Sequence, residues 1–401
     1  MNKTLIFTLL FFDELFALLI EILNIQIYTI DNGISLYVYA KIGISFIIML
    51  FFLGKIIKAK KVNRLTIIVI YICLVALVFF SITSIRYTGR IISREQLISI
   101  IYLFPFLLFL SLNINEIESM NFKKVYNVII ILILFTGIFY LVLPNLKGND
   151  TRAIGGFSYQ TTSYFFAKGY MLVLCRKLFD KHHIMNNILA AMFILMALIP
   201  GGKGAIVTIA VSTLIYLRFS KYKAKEITVI LSILGVLSLI MPIVINRVPL
   251  IQEGMERAFS FISTDVNVIW RNSTGRDIIY KASQESISKK PLFGWGLGAS
   301  YYTPIKGYPH NIFLEFWLEG GIFYFLFMSI IIGITLLYWY KKTIKEIKNI
   351  YIFLPLVFTF VSLQFSGSYL YGNYYLWLSL IYYINHIVKR EELNYGYSLY
   401  Q

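Results

Sequence analysis

Four short stretches of the chain hold residues whose types and spacing could do chemistry. His310 follows Tyr308-Pro309 and precedes Asn311. Arg271 and Arg276 flank Asn272-Ser273-Thr274-Gly275. Lys203 sits in the turn Gly201-Gly202-Lys203-Gly204, and Arg152 in Asn149-Asp150-Thr151-Arg152-Ala153-Ile154-Gly155-Gly156-Phe157. A helix start presents unpaired N–H groups and a partial positive charge, which suits an anion. A glycine-rich turn lets backbone come close to a phosphate. An imidazole titrates near neutral pH and can take a proton. Brought together, these residues would form an anion site with one titratable base.

The elements that must position them follow from composition. The 401 residues are 58% hydrophobic and 14% charged, with a mean hydropathy of +0.72, against roughly 45–50% apolar and about 25% charged in a soluble domain. That excess excludes a soluble enzyme on one anchor, a disordered chain and a secreted disulfide scaffold. The net charge of +17 would suit nucleic acid, but the cations form short clusters between apolar runs. Such runs of about 20 residues each cross a bilayer as a helix, so the expected partner is lipid and not nucleic acid. Cys73 and Cys175, the only cysteines, lie in apolar runs and read as reduced core residues. No cleavable signal peptide is expected, because only Lys3 precedes the first apolar run and no small-residue site follows it.

The pattern predicts an all-α polytopic membrane protein with about twelve spans, over 4–24, 34–54, 65–84, 97–112, 125–143, 160–177, 184–200, 203–219, 227–246, 310–338, 350–366 and 373–388. With both termini in the cytoplasm, inside connections hold 21 of the 37 Lys and Arg residues and short outside connections hold 6. That asymmetry is the positive-inside pattern. The chain reads as one integral membrane domain over 1–401. Residues 247–309 form a large outer-face loop with two short amphipathic stretches, near 251–262 and 278–287, able to lie on the bilayer surface. The first span carries Asp13, Glu14 and Glu21. Charges there mark either a tilted, partly interfacial helix or a polar lining to a substrate path.

In that topology Arg152, Lys203, Arg271, Arg276 and His310 share the outer face. Lys203 and His310 are expected to open helices, and Arg276 to lie in the loop without a helix start beside it. Each also fits a plainer role: an outer arginine contacts lipid phosphate or water, Lys203 snorkels, and His310 caps a helix. No His/Asp/Glu cluster has metal-ligand spacing, and no Walker loop, dinucleotide fingerprint or hydrolase elbow occurs. No metal and no cofactor are expected.

The run Gly275-Arg276, then Lys289-Lys290-Pro291-Leu292-Phe293-Gly294-Trp295-Gly296-Leu297-Gly298, then His310-Asn311-Ile312-Phe313-Leu314-Glu315 and Glu319-Gly320-Gly321-Ile322 resembles the C-terminal signature of the O-antigen ligase/polymerase superfamily. The ligase form of that signature is His-Asn, nine residues, Gly, two residues, then Gly, Thr or Tyr. His310-Asn311, Gly321 and Tyr324 meet it. Arg152-Ala153-Ile154-Gly155 resembles the family's outer-loop arginine segment, and Gly202-Lys203-Gly204-Ala205 its Ser-Arg-Gly turn with Lys for Arg. The specific match covers roughly 275–324.

The resemblance implies an all-α, GT-C-like fold and metal-independent, inverting glycosyl transfer from an undecaprenyl-diphosphate-linked oligosaccharide at the outer face of the bacterial inner membrane. It implies catalytic roles for His310, as general base, and Arg276, on the leaving diphosphate. Arg152, Lys203 and Arg271 would help bind the diphosphate, and Asn311, Glu315 and Gly321 would support the site. Lysine at 203 replaces the planar fork of an arginine with a point charge. The first expectation is a repeat-unit polymerase for O-antigen, capsule or a related polysaccharide, working with a flippase and a chain-length regulator. The alternatives are an O-antigen ligase acting on lipid A-core and, from another class, a lipid-saccharide flippase or secondary transporter.

Overall fold

The structure is a computed structural model. It describes residues 2–23, 36–59, 62–88, 94–155, 157–180, 183–247, 250–259, 275–298, 303, 305, 308–370 and 374–398. In chain order the helices are α1 (Asn2–Leu10), α2 (Phe12–Ile22), α3 (Leu36–Ala59), α4 (Arg64–Thr88), α5 (Arg94–Leu112), α6 (Ile114–Glu118), α7 (Phe122–Gly137), α8 (Leu143–Leu146), α9 (Tyr159–Lys177), α10 (His183–Leu198), α11 (Lys203–Phe219), α12 (Lys223–Arg247), α13 (Leu250–Phe259), α14 (Arg276–Lys289), α15 (Ile312–Lys345), α16 (Ile350–Ser362) and α17 (Tyr374–Ser398). A π-helical stretch, Ile138–Val142, joins α7 to α8. No strand occurs among the described residues.

The protein is therefore an all-α membrane protein. By length and composition Tyr39–Lys58, Phe122–Leu146 and Ile312–Lys345 can each cross a bilayer. Large apolar side chains such as Phe46, Ile57, Tyr71, Ile131 and Phe327 stay exposed, which suits helices whose outer faces meet lipid. The core gathers around α9, with Phe166, Met171, Val173 and Cys175 buried. α10, α11, α7 and α16 pack on it. Cys73 and Cys175 are both buried and free.

Helices lie over the described part of every expected span, with three differences in detail. The first span is two helices, α1 and α2, broken at Phe11. The span expected at 310–338 begins at Ile312, runs to Lys345 and kinks at Gly321 (φ 71°, ψ −170°). The amphipathic stretches in 247–309 carry α13 and α14, but α13 folds back onto the bundle. A Cβ at Gly254 would fall 2.1 Å from the Leu198 carbonyl oxygen.

The acidic residues of α2 are taken up by the bundle. Glu14 is buried and pairs with Lys168 of α9, and Asp13 pairs with Lys41 of α3 at 3.4 Å. Glu21 accepts a hydrogen bond from the Gly155 N–H and so ties down the Arg152 loop. Buried carboxylates persist only when paired in this way.

Candidate functional site

Two helices begin at the site with a glycine as N-cap and no side-chain cap. Gly202 precedes Lys203 at the start of α11, and Gly275 precedes Arg276 at the start of α14. Their first N–H groups thus keep the capacity to bind an anion. The expectation that Arg276 lacks a helix start is corrected: it is the first residue of α14. The amphipathic stretch expected near 278–287 is this helix, and it starts two residues earlier than its apolar residues show, at Arg276.

The Arg276 guanidinium is electrostatically coupled to Lys203, Tyr164, Tyr280, Tyr308 and His310. Residues from α9, α11, α14 and the approach to α15 thus lie within electrostatic reach of one guanidinium. Among the described residues Arg276 forms no ion pair with a carboxylate. The α11 turn fits against α9 closely. A Cβ at Gly204 would fall 1.8 Å from the Tyr164 hydroxyl, so only glycine permits the approach. Ser163 of α9 accepts from the Gly202 N–H at 2.8 Å and donates to the Ala197 carbonyl at 3.0 Å.

His310 stands just before α15 in the left-handed region (φ 53°), a conformation uncommon for a residue with a side chain. Its ring lies 4.4 Å from that of Tyr308. Its Nδ1 is buried without a hydrogen-bond partner. Burial lowers the imidazole to about 4, and the Arg276 charge pushes the same way. Burial raises the Tyr308 and Tyr280 hydroxyls, which stay protonated donors. His310 is not the helix cap. Asn311 is: its Oδ1 accepts from the N–H groups of Phe313 (3.0 Å) and Leu314 (3.2 Å), and its Nδ2 donates to Gln364 at 3.2 Å.

The remaining signature residues build the scaffold. Gly321 lies so close to the 291–298 loop that a Cβ there would fall 2.1 Å from the Leu292 carbonyl oxygen. Across the kink the N–H groups of Trp295 and Gly296 donate to the Leu318 and Glu319 carbonyls, and Ile322 N–H donates to Pro291, each at 2.8 Å. Glu319 accepts from the Gly298 N–H (2.8 Å) and the Tyr369 hydroxyl (2.6 Å). Glu315 accepts from the Ser368 hydroxyl and the Tyr369 N–H. Tyr324 and Tyr369 share a hydroxyl contact at 3.1 Å. The 291–298 loop and the first turns of α15, which His310 precedes, are thereby held as one unit.

Arg152 stands apart, in an ion pair with Glu253 of α13 at 2.6 Å. Arg271 lies outside the described residues. The structure adds Tyr164, Tyr280 and Tyr308 to the cluster. Tyr308 was visible as a neighbour of His310, whereas nothing in sequence connects Tyr164 to it. Among the described residues no group of three or more His, Cys, Asp or Glu could hold a metal.

The sequence model of a family described as O-Antigen ligase matches residues 188–329. No curated protein matches the chain. That family covers O-antigen ligases and related polymerases, enzymes of the glycosyltransferase kind. The matched stretch spans the Lys203 turn, α14, His310 and the Gly321 kink. The motifs at 202–205 and 275–324 thus lie within a longer stretch, 188–329, that is similar to the O-antigen ligase family.

Proposed function

We propose that the protein is a surface-polysaccharide polymerase of the bacterial inner membrane. It transfers glycan from undecaprenyl diphosphate to the next lipid-linked repeat unit at the outer face. The observation that carries this reading is the convergence of Arg276, Lys203 and His310 at two uncapped helix starts, with Arg276 unmatched by any described carboxylate. Two neighbouring cations repel, and a diphosphate between them removes that cost.

In the reaction the acceptor hydroxyl oxygen attacks the anomeric carbon as its proton passes to His310. The bond from that carbon to the diphosphate oxygen breaks on the opposite side, which inverts the configuration. Arg276, Lys203 and the helix N–H groups stabilise the departing diphosphate. A bound diphosphate also offsets the Arg276 charge and raises the basicity of His310 when it is needed. Neither a metal nor another cofactor has a step to perform. Arg152 joins the diphosphate only after release from Glu253. Arg271 remains part of the proposed binding set. Asn311, Glu315 and Gly321 support it, through the contacts above.

The bundle is proposed to cross the membrane twelve times as a single domain over 1–401, with 275–324 as its signature region. Both termini are cytoplasmic and 247–309 is outside. A flippase delivers the substrate and a chain-length regulator acts with the enzyme. A Ser288→Cys variant should react with an impermeant thiol reagent in spheroplasts; labelling only after lysis would reverse this topology. The family's description as a ligase favours one second reading, transfer of finished glycan to lipid A-core. A deletion strain decides between them. A polymerase loss leaves glycan capped at one repeat unit, whereas a ligase loss leaves full-length polymer on its lipid carrier.

A further inference from the structure

A second polar feature lies beside the anion site. A pocket of about 120 Å³ opens between α2, α9, α16 and α17, lined by Glu14, Thr161, Tyr164, Lys168, Phe358 and Tyr374 among others. Its size is on the scale of the roughly 150 Å³ cavity that accepts a benzene ring. Tyr164 belongs to both places: it lines the pocket, and it is coupled to Arg276 and packs on Gly204. Ser362, on the pocket wall, ends α16, just before Leu363 and Gln364, which bind the His310–Ile312 segment.

Two buried polar atoms of the lining have no protein partner. One is Oε2 of Glu14, whose Oε1 pairs with Lys168; the other is the Tyr164 hydroxyl. A buried polar atom left without a partner is destabilising, so an occupant with hydroxyl groups is favoured. The chemistry narrows the occupant further. Glu14 disfavours an anion, Lys168 disfavours a cation, and an apolar ligand leaves both orphans unmet. Phe358 and Tyr374 add aromatic rings to the lining. A neutral polyhydroxyl ring answers all of these demands.

We propose that this pocket is a saccharide subsite that seats one pyranose unit of the lipid-linked substrate, with sugar hydroxyls bonded to Glu14 Oε2, Lys168 and the Tyr164 hydroxyl. The proposal rests on the glycosyl-transfer reading above and adds where a sugar is held. The pyranose is either the donor's first sugar or one further along the repeat unit.

The test measures binding of three probes to the full-length protein in detergent. They are undecaprenyl diphosphate, the same lipid carrying one sugar, and the same lipid carrying the whole repeat unit. Phe358→Leu removes one aromatic ring of the lining and keeps an apolar side chain in its place. The double variant Glu14→Leu/Lys168→Met exchanges a buried pair for apolar groups of similar size, which buried pairs commonly tolerate. Both variants should bind the sugar-free lipid as wild type does and bind a sugar-bearing lipid about three- to tenfold more weakly. A loss already seen with one sugar assigns the pocket to the donor's first sugar. A loss seen only with the whole repeat unit assigns it to a distal sugar. Wild-type binding of all three lipids by both folded variants overturns the subsite and leaves the pocket to water. Arg276→Ala, run in parallel, should weaken all three; if it weakens none, the diphosphate reading itself fails.

Discussion

The two ends of the packed pair α9 and α11 handle positive charge in opposite ways. At one end Lys177 of α9 is buried against Glu226 of α12, with its ammonium 5.3 Å from the Tyr216 ring of α11. At the other end Lys203 of α11 lies within electrostatic reach of Arg276, as do the Tyr164 and Tyr308 hydroxyls and the His310 imidazole. The first end is closed, since the cation has its counter-ion within the fold. The second gathers cations and donors, and among the described residues no carboxylate is ion-paired to Arg276; in the proposed reaction the diphosphate supplies the counter-charge. α9 and α11 run through both ends, and the contrast comes from the helices packed beside them: α12 brings the Glu226 carboxylate to one end and α14 brings the Arg276 guanidinium to the other.

The largest effect that would test this contrast is loss of the base. His310→Ala should cut polymer formation by about 10²–10⁴-fold while lipid-diphosphate binding persists, read from polymer ladders at matched protein level. Near-normal polymer would reduce His310 to a loop residue.

Next come charge-conserving swaps at the open end. Arg276→Lys keeps the charge but loses the fork that meets two phosphate oxygens, and should cost about ten- to a hundredfold in activity. Lys203→Arg should stay within about threefold, because the helix start shares the anion there. Since Arg276 also opens a helix, a tolerated Arg276→Lys would mean that the two N-termini, and not the guanidinium, carry the grip.

The closed end should respond in stability. Lys177→Met strands a buried carboxylate at Glu226 and should cost about 3–5 kcal/mol. Adding Glu226→Leu should restore most of the loss, as read by thermal melting in detergent. An unaffected single variant would show that the pair is not buried as a pair.

A smaller effect concerns pH. Burial and Arg276 lower His310 to about 4, so the free enzyme holds its base deprotonated well below an ordinary imidazole near 6.5. The acid limb of kcat/KM should therefore lie below 6.5. The limb of kcat should lie higher, since bound diphosphate offsets Arg276 and favours protonation. Coincident limbs at 6.5 would separate His310 from Arg276. Excess EDTA should have the smallest effect of all, leaving activity unchanged; rescue by one divalent ion after loss would place a metal in the reaction.

Much of this protein is legible in its sequence because membrane physics is local. A helix must bury some 20 apolar residues to satisfy its backbone in lipid, so helices stand over the apolar runs. The motif His310-Asn311…Gly321…Tyr324 was equally legible, since a cap, a kink and a hydroxyl contact each demand one residue type at one spacing. What stayed hidden depends on contacts between distant segments. The Arg152–Glu253 pair and the place of Tyr164 beside Gly204 join residues far apart in the chain. The acidic first span was ambiguous for the same reason: Glu14 and Asp13 are explained only by Lys168 and Lys41 on other helices. Hydropathy and motif spacing determine which segments are helical and which residue types carry chemistry. Packing alone decides which charges neutralise one another inside the bundle and which are left facing a substrate, because a Coulomb pair depends on distance through space and not along the chain.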